Sequence, residues 1–164
     1  MMEGNELERP EVELIREDYQ PAVQPYPVQA PEIKTGSEYY FETVSGLTYQ
    51  VMFARKTDNY LENVVNFSVL SEDYEDEYSE TNRGEIYRVI ATVIEVIRMF
   101  HQYHAHSIRY EFSGEFKKGN EHRETSIRTL LYYRKAREIL NSGWKLEMEG
   151  NRVIISLERK RNPF

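Results

Sequence analysis

Few residues of this chain combine type and spacing in a way that suggests chemistry. His101, His104 and His106 cluster within six residues, and imidazoles three apart on a helix are near enough to share a metal ion. No cysteine exists, and no carboxylate lies at matching local spacing, so the reading is packing and helix capping rather than a metal site. Arg128 is the second candidate. Projected at about 100° per residue, it falls in the middle of the arc that holds Ile127, Leu131, Tyr132 and Ile139. A guanidinium there must meet carboxylates or carbonyls, or carry its head past its own stem to water. Either it binds an anionic ligand, or it is structural and paired with an acid such as Glu85 or Glu111. Nucleophilic catalysis has no signature: there is no Gly-x-Ser-x-Gly and no paired acids at a recognisable site, so no catalytic residue is expected. Glu121-His122-Arg123-Glu124 offers titratable groups of the kind that surfaces supply routinely.

Thirteen tyrosines carry more weight than any of these. Tyr39-Tyr40 and Tyr132-Tyr133 are adjacent pairs, so one member of each must point away from the core. Exposed tyrosines bury area at low entropic cost, which suits contacts; ordinary half-buried aromatics are the competing account.

The elements that position these residues are legible in the hydropathy pattern. Ile86, Val89, Ile90, Val93, Ile94, Ile97 and Phe100 recur at three- and four-residue steps, which predicts a helix over about 84–103 with one apolar stripe. Such a stripe must be covered by a sheet. Phe41 and Thr43, then Leu47, Tyr49, Val51 and Phe53, alternate around Ser45-Gly46 and read as a hairpin; Val65, Phe67 and Val69 make a third strand. Ile108, Tyr110 and Phe112 give a fourth, a second helix spans about 121–140, and 144–148 with 152–157 closes as a hairpin around Gly150. The expectation is an α+β fold, β-β-β-α-β-α-β-β, with a single mostly antiparallel sheet.

Composition sets the frame. The length suits one domain with a core of ordinary size, placed at 38–160. Five of the six prolines lie in the first 31 residues, so 1–37 reads as a flexible, proline-rich acidic tail, with Val12, Leu14 and Ile15 as a short apolar segment able to dock on the body or on a neighbour. Absence of cysteine fits a reducing compartment. With no long apolar run, the expectation is a cytoplasmic protein that uses no membrane. Residues 1–80 carry 5 Lys/Arg against 18 Asp/Glu, and 81–164 carry 16 against 10. Six of the acids fall in Glu72–Glu80, a solvated loop. The basic half, through Lys117, Lys118, Arg123, Arg134 and Arg137, matches no nucleic-acid motif, and the acidic half argues against that class.

Two resemblances follow from these segments. The helix after the third strand, the run Arg128-Thr-Leu-Leu-Tyr132-Tyr-Arg134 and then Gly143-Trp144 resemble the closing part of the acyl-CoA N-acyltransferases of the GNAT superfamily. More closely, Gly84-Glu85, Val89, Thr92-Val93, Ile108 to Phe112, Arg128, Leu131-Tyr132 and Arg134 resemble a family of small uncharacterised bacterial and phage proteins, some labelled acetyltransferase-like, across about residues 40–158. The resemblance implies a GNAT-like sheet. In those enzymes bare backbone amides at the start of the central helix hold the CoA pyrophosphate, and Arg83, Gly84 and Glu85 occupy that place here. The second small residue of the enzyme pattern is missing, Ile86 and Tyr87 crowd the approach, and the acidic run lies just upstream. The expected function is therefore a non-catalytic binding or interaction module without cofactor, using Arg128, Tyr132, Arg134 and the tail toward a protein partner or a second copy. The alternative is a divergent acyltransferase using acetyl-CoA, with Arg83, Gly84 and Glu85 at the phosphates and Tyr132 as proton donor.

Overall fold

A computed structural model of the chain describes residues 13–20, 24–70, 83–113 and 127–158, with the side chains of 83, 84, 127 and 128 outside the description. Strands β1 (Glu38–Glu42), β2 (Thr48–Arg55) and β3 (Glu62–Val69) precede helix α1 (Arg83–Tyr103). Strand β4 (Arg109–Phe112), helix α2 (Ile127–Ile139) and the hairpin β5 (Trp144–Glu149) and β6 (Arg152–Leu157) follow. The architecture is α+β: one six-stranded sheet in the order β1-β2-β3-β4-β6-β5, with two helices among the described residues. The sheet is mixed. All pairings are antiparallel except β3 with β4, which run parallel because α1 carries the chain from one end of β3 back to the start of β4.

Local chemistry accounts for the turns. Gly46 adopts φ 89° in the β1–β2 connection, and Gly150 adopts φ 60° between β5 and β6, a region that residues with a Cβ rarely enter. Around Gly46, the Thr43 hydroxyl accepts from Leu47 N–H at 3.0 Å and so replaces a missing ladder bond.

Both helices pack on one face of the sheet. That face carries Tyr49, Val51 and Phe53 of β2, Val65 of β3, Tyr110 of β4 and Ile155 of β6, all buried. Phe53 stacks on Phe100 of α1, and Phe67 meets Tyr132 of α2 edge-on. Every residue of the expected α1 stripe is buried, and so are Ala91, Thr92 and Val96 outside it. The helix is enclosed more widely than a single apolar stripe requires.

The reason is the N-terminal arm. Of the segment expected as a tail over 1–37, residues 13–20 and 24–37 are described, and Leu14, Ile15, Tyr26 and Val28 within it pack against the core while much of the remainder is exposed; residues 1–12 and 21–23 are outside the description. Leu14 is 1 % exposed, and Leu14 and Ile15 pair with the end of α2 through Arg16 N–H to Ile139 O and Asn141 N–H to Leu14 O. Tyr26 donates its N–H to the buried Thr92 hydroxyl at 2.9 Å and stacks on Phe41. Prolines suit this segment because it needs extended φ and gives few ladder bonds. The only arm-to-strand bridge is Gln29 with Tyr40 of β1, among the described residues.

A docked arm makes Leu14 a core residue. Leu14→Ala is expected to cost about 3 kcal/mol in urea unfolding, the ordinary value for a fully buried leucine. A free tail would show less than about 0.5 kcal/mol.

Candidate functional site

The start of α1 is where the resemblance places a phosphate loop. Helix geometry begins at Arg83, so Gly84 and Glu85 fall in the first turn, where amide N–H groups lack intrahelical partners and favour an anion. Glu85 supplies that anion from the chain itself. Its Oε1 accepts from Ser45 Oγ at 2.7 Å and from Ser45 N–H at 3.2 Å, tying the β1–β2 turn to the helix. Burial alone would raise its pKa, but the bonds from Ser45 and Thr43 outweigh that and hold the carboxyl below its usual value. One turn later Arg88 lies 3.9 Å over the Tyr26 ring and donates to Gln24 O at 2.7 Å, so its charge is committed to the arm. The Glu72–Glu80 run expected as a solvated loop lies outside the described residues.

Tyr132 is not a surface residue. It is 1 % exposed, with ring centroids 5.1 Å from Phe67 and 6.0 Å from Phe112. The β3–β4 ladder ends at Val64 and Glu111 while β3 runs on to Val69, and these three rings fill the helix side of the sheet where the strands stop pairing. Burial removes Tyr132 from the contact surface expected of α2, and a proton donor there would have to work from inside the core. Tyr133 is half-buried beneath Arg137, 5.8 Å away, and Arg134 is exposed. Arg128 lies in the first turn of α2, its side chain outside the description, as are Lys117, Lys118 and Glu121–Glu124. The structure thus places Arg83, Gly84 and Glu85 on one helix end, and Arg134 and Tyr132 on opposite sides of α2.

Glu111 faces away from the helices. It sits on the other side of the sheet, 5 % exposed, with Lys56 Nζ at 3.1 Å and Arg109 Nη2 and Arg152 Nη1 each at 3.2 Å. Burial pushes its pKa up, and the three cations, led by Lys56 and Arg109, more than reverse this. Glu62 and Glu149 take further bonds from the same cations, so charge balances within the cluster. An alternating sequence announces such a residue only as one more polar position. Its cations come from three separate strand regions, and no local pattern joins them.

The histidines resolve into packing and capping. His104 stacks on Phe100 at 3.8 Å, with Nδ1 facing Phe100 O at 2.9 Å and Nε2 facing Thr35 O of the arm at 3.1 Å. His101 is buried, bonded through Nδ1 to the Tyr110 hydroxyl at 2.7 Å and set edge-on to Trp144. Burial, then the neighbouring His104 and His106, pull its pKa down to about 4, and burial pushes the Tyr110 hydroxyl up. No group of three potential metal ligands occurs among the described residues.

A cavity of about 430 Å³ lies between the arm, α1 and the end of α2. Ile15, Tyr19, Tyr26, Ala91, Met99 and Ile139 form most of its wall. Sequence reasoning missed it because it exists only once the arm docks.

Comparison with protein-family models, curated proteins and solved structures finds no match. The site therefore stands on its own geometry.

The His101 environment gives a pH dependence with a definite sign. The native ring stays neutral to about pH 4, whereas the unfolded ring takes a proton near 6.5. As pH falls between these values the unfolded state binds the additional proton, so stability declines by roughly 3 kcal/mol across that window. Glu85 and Glu111 act lower, since their contributions fade only as pH falls below about 4.5. Urea midpoints measured from pH 7 to 5 should fall in the parent chain, and His101→Gln should remove most of the slope.

Proposed function

We propose that this protein is a non-catalytic binding or interaction module built on an acyltransferase-like sheet, of the kind found in the small bacterial and phage family that its sequence resembles. Acetyl-CoA is not its cofactor. A helix following the third strand and a closing helix-plus-hairpin support the likeness of fold.

One observation carries the functional half of this reading: the first turn of α1 already holds a carboxylate, Glu85, kept ionised by three donors. A diphosphate brought to the same amides would meet that charge. At 6–8 Å, with an effective dielectric near 40, each pair of unit charges costs about 1 kcal/mol. Rotating Glu85 away would break the tie to the β1–β2 turn. Tyr132 adds to the argument, because a group sealed among Phe67 and Phe112 has no path to a thioester.

The contact surfaces of the module are the arm, the exposed side of α2 with Arg134, and the exposed tyrosines Tyr60, Tyr87 and Tyr103. Their partner is another protein or a second copy of the chain. No helix among the described residues is long and apolar enough to cross a membrane, and a cysteine-free chain suits the cytoplasm.

Thermal denaturation with acetyl-CoA up to 1 mM tests the reading directly. The expected midpoint shift is nil. A CoA site with a dissociation constant near 10 µM would instead add about 2.7 kcal/mol and raise the midpoint by several degrees, which overturns the proposal.

A further inference from the structure

The two edges of the sheet are treated differently. Alongside β1 lies the arm: Gln29 N–H donates to Tyr40 O at 2.7 Å, and Tyr40 N–H donates to Gln29 O at 3.1 Å. Beyond β5, by contrast, no strand or bridge pairs among the described residues. The side chains of β5 are accessible as well. Lys145 and Glu147 are 55 % and 45 % exposed, and Met148 is 36 % exposed. An accessible strand edge is a template for another strand.

The ladder to β6 fixes which backbone groups of β5 point outward. Glu158 N–H donates to Gly143 O at 3.0 Å, whereas Leu157 N–H turns the other way, to Ile108 O at the start of β4. Bonded and non-bonded pairs alternate along an antiparallel ladder. Lys145, Glu147 and Glu149 therefore bond to β6, as Gly143 does, and Leu146 and Met148 direct their N–H and C=O groups outward. Charge is distributed unevenly on this strand. Lys145 and Glu147 share the face opposite the helices, with Nζ 3.6 Å from Oε2, and Glu149 is bound to Arg152 at 2.8 Å.

We propose that β5 pairs antiparallel with β5 of a second copy of the chain, about a two-fold axis through Leu146. In that register the two Leu146 residues exchange both of their outward hydrogen bonds. Lys145 falls opposite Glu147 of the second copy, and the two-fold repeats the pair. Other registers fail on charge. An axis through Glu147 overlaps the strands equally but sets Glu147 against Glu147. Axes through Lys145 or Met148 shorten the overlap and oppose Lys145 to itself or Glu147 to Glu149. An axis between residues sets an outward-facing residue against an inward-facing one. On the helix side, the Leu146 axis places the half-buried Leu146 against its own copy and the exposed Met148 opposite Trp144. The pairing deepens the interaction reading, on which it rests, by naming the partner as a second copy and the contact as a strand edge.

Sedimentation equilibrium of the full chain at about 10–500 µM, in ~150 mM salt to screen its net negative charge, tests the pairing. The mass should rise from 19.6 kDa toward twice that value. Lys145→Glu and Glu147→Lys each set like charges across the axis and should weaken association at least about tenfold. The double variant exchanges the signs and should recover the parent's dissociation constant within about threefold. Both side chains are exposed, so urea midpoints of these variants should stay at the parent's value. Hydrogen exchange at Leu146 N–H should slow at least about tenfold between dilute and concentrated samples, while Glu147 N–H, bonded within one copy, should not change. A monomer at the highest concentration, single variants that associate like the parent, or a double variant that stays weak would each overturn the pairing. None of these results alters the response to acetyl-CoA, so failure of the strand edge and failure of the non-catalytic reading are distinguishable.

Discussion

An isolated helix with the composition of α1 would be poor, because isoleucine and valine lose side-chain freedom in a helix and contribute little propensity. Its stability comes from enclosure. The sheet covers one side through Phe53 and Phe100, α2 covers another, and the arm closes a third by spending Tyr26 N–H on the hydroxyl of Thr92. That last bond removes a particular difficulty. A threonine inside so apolar a helix needs both of its hydrogen-bonding functions satisfied, and Thr92 donates to Arg88 O at 2.7 Å while accepting from the arm. Each of the wholly buried aliphatic residues along α1 contributes about 1.5–3 kcal/mol, so covering the helix from several directions dominates the energetics.

The sheet separates two kinds of interaction. Its helix side is largely aromatic and buried, with Phe53, Phe100, Tyr110 and Trp144 in contact through rings. Its other side holds the Glu111 cluster, where a nearly buried carboxylate is kept charged by Lys56, Arg109 and Arg152. Such a cluster offers less net stability than an equal area of hydrocarbon, because desolvation consumes much of the attraction. What it adds is alignment, since three strand regions must be in register for the cations to converge.

Periodicity made α1 and the strands legible, because each has a strong local pattern: a 3.6-residue stripe from Ile86 to Phe100 and strict alternation in Tyr49, Val51 and Phe53. The β3–β4 pairing was harder to read, since a parallel partner is set by the path of a crossover and leaves no mark in either strand. The arm misleads for a related reason. Its prolines exclude helix and ladder; Leu14 and Ile15 are legible as a short apolar segment able to dock, whereas Tyr26 is a single anchor without a period. Tyr132 was correctly placed on the apolar arc of its helix, but an arc cannot tell a residue that caps the core from one sealed within it. Glu85 was read as part of a phosphate loop by position; its tie to Ser45 depends on a turn forty residues earlier.

Trp144 is the chain's only tryptophan, and it is buried beside His101 and Tyr110. Its indole therefore reports from the one place where the sheet, the end of α1 and the closing hairpin meet. Native emission should be blue-shifted by that buried, aromatic surrounding, and a proton arriving on the adjacent imidazole should quench it. The molecule carries its own optical gauge of core integrity, with no label to attach.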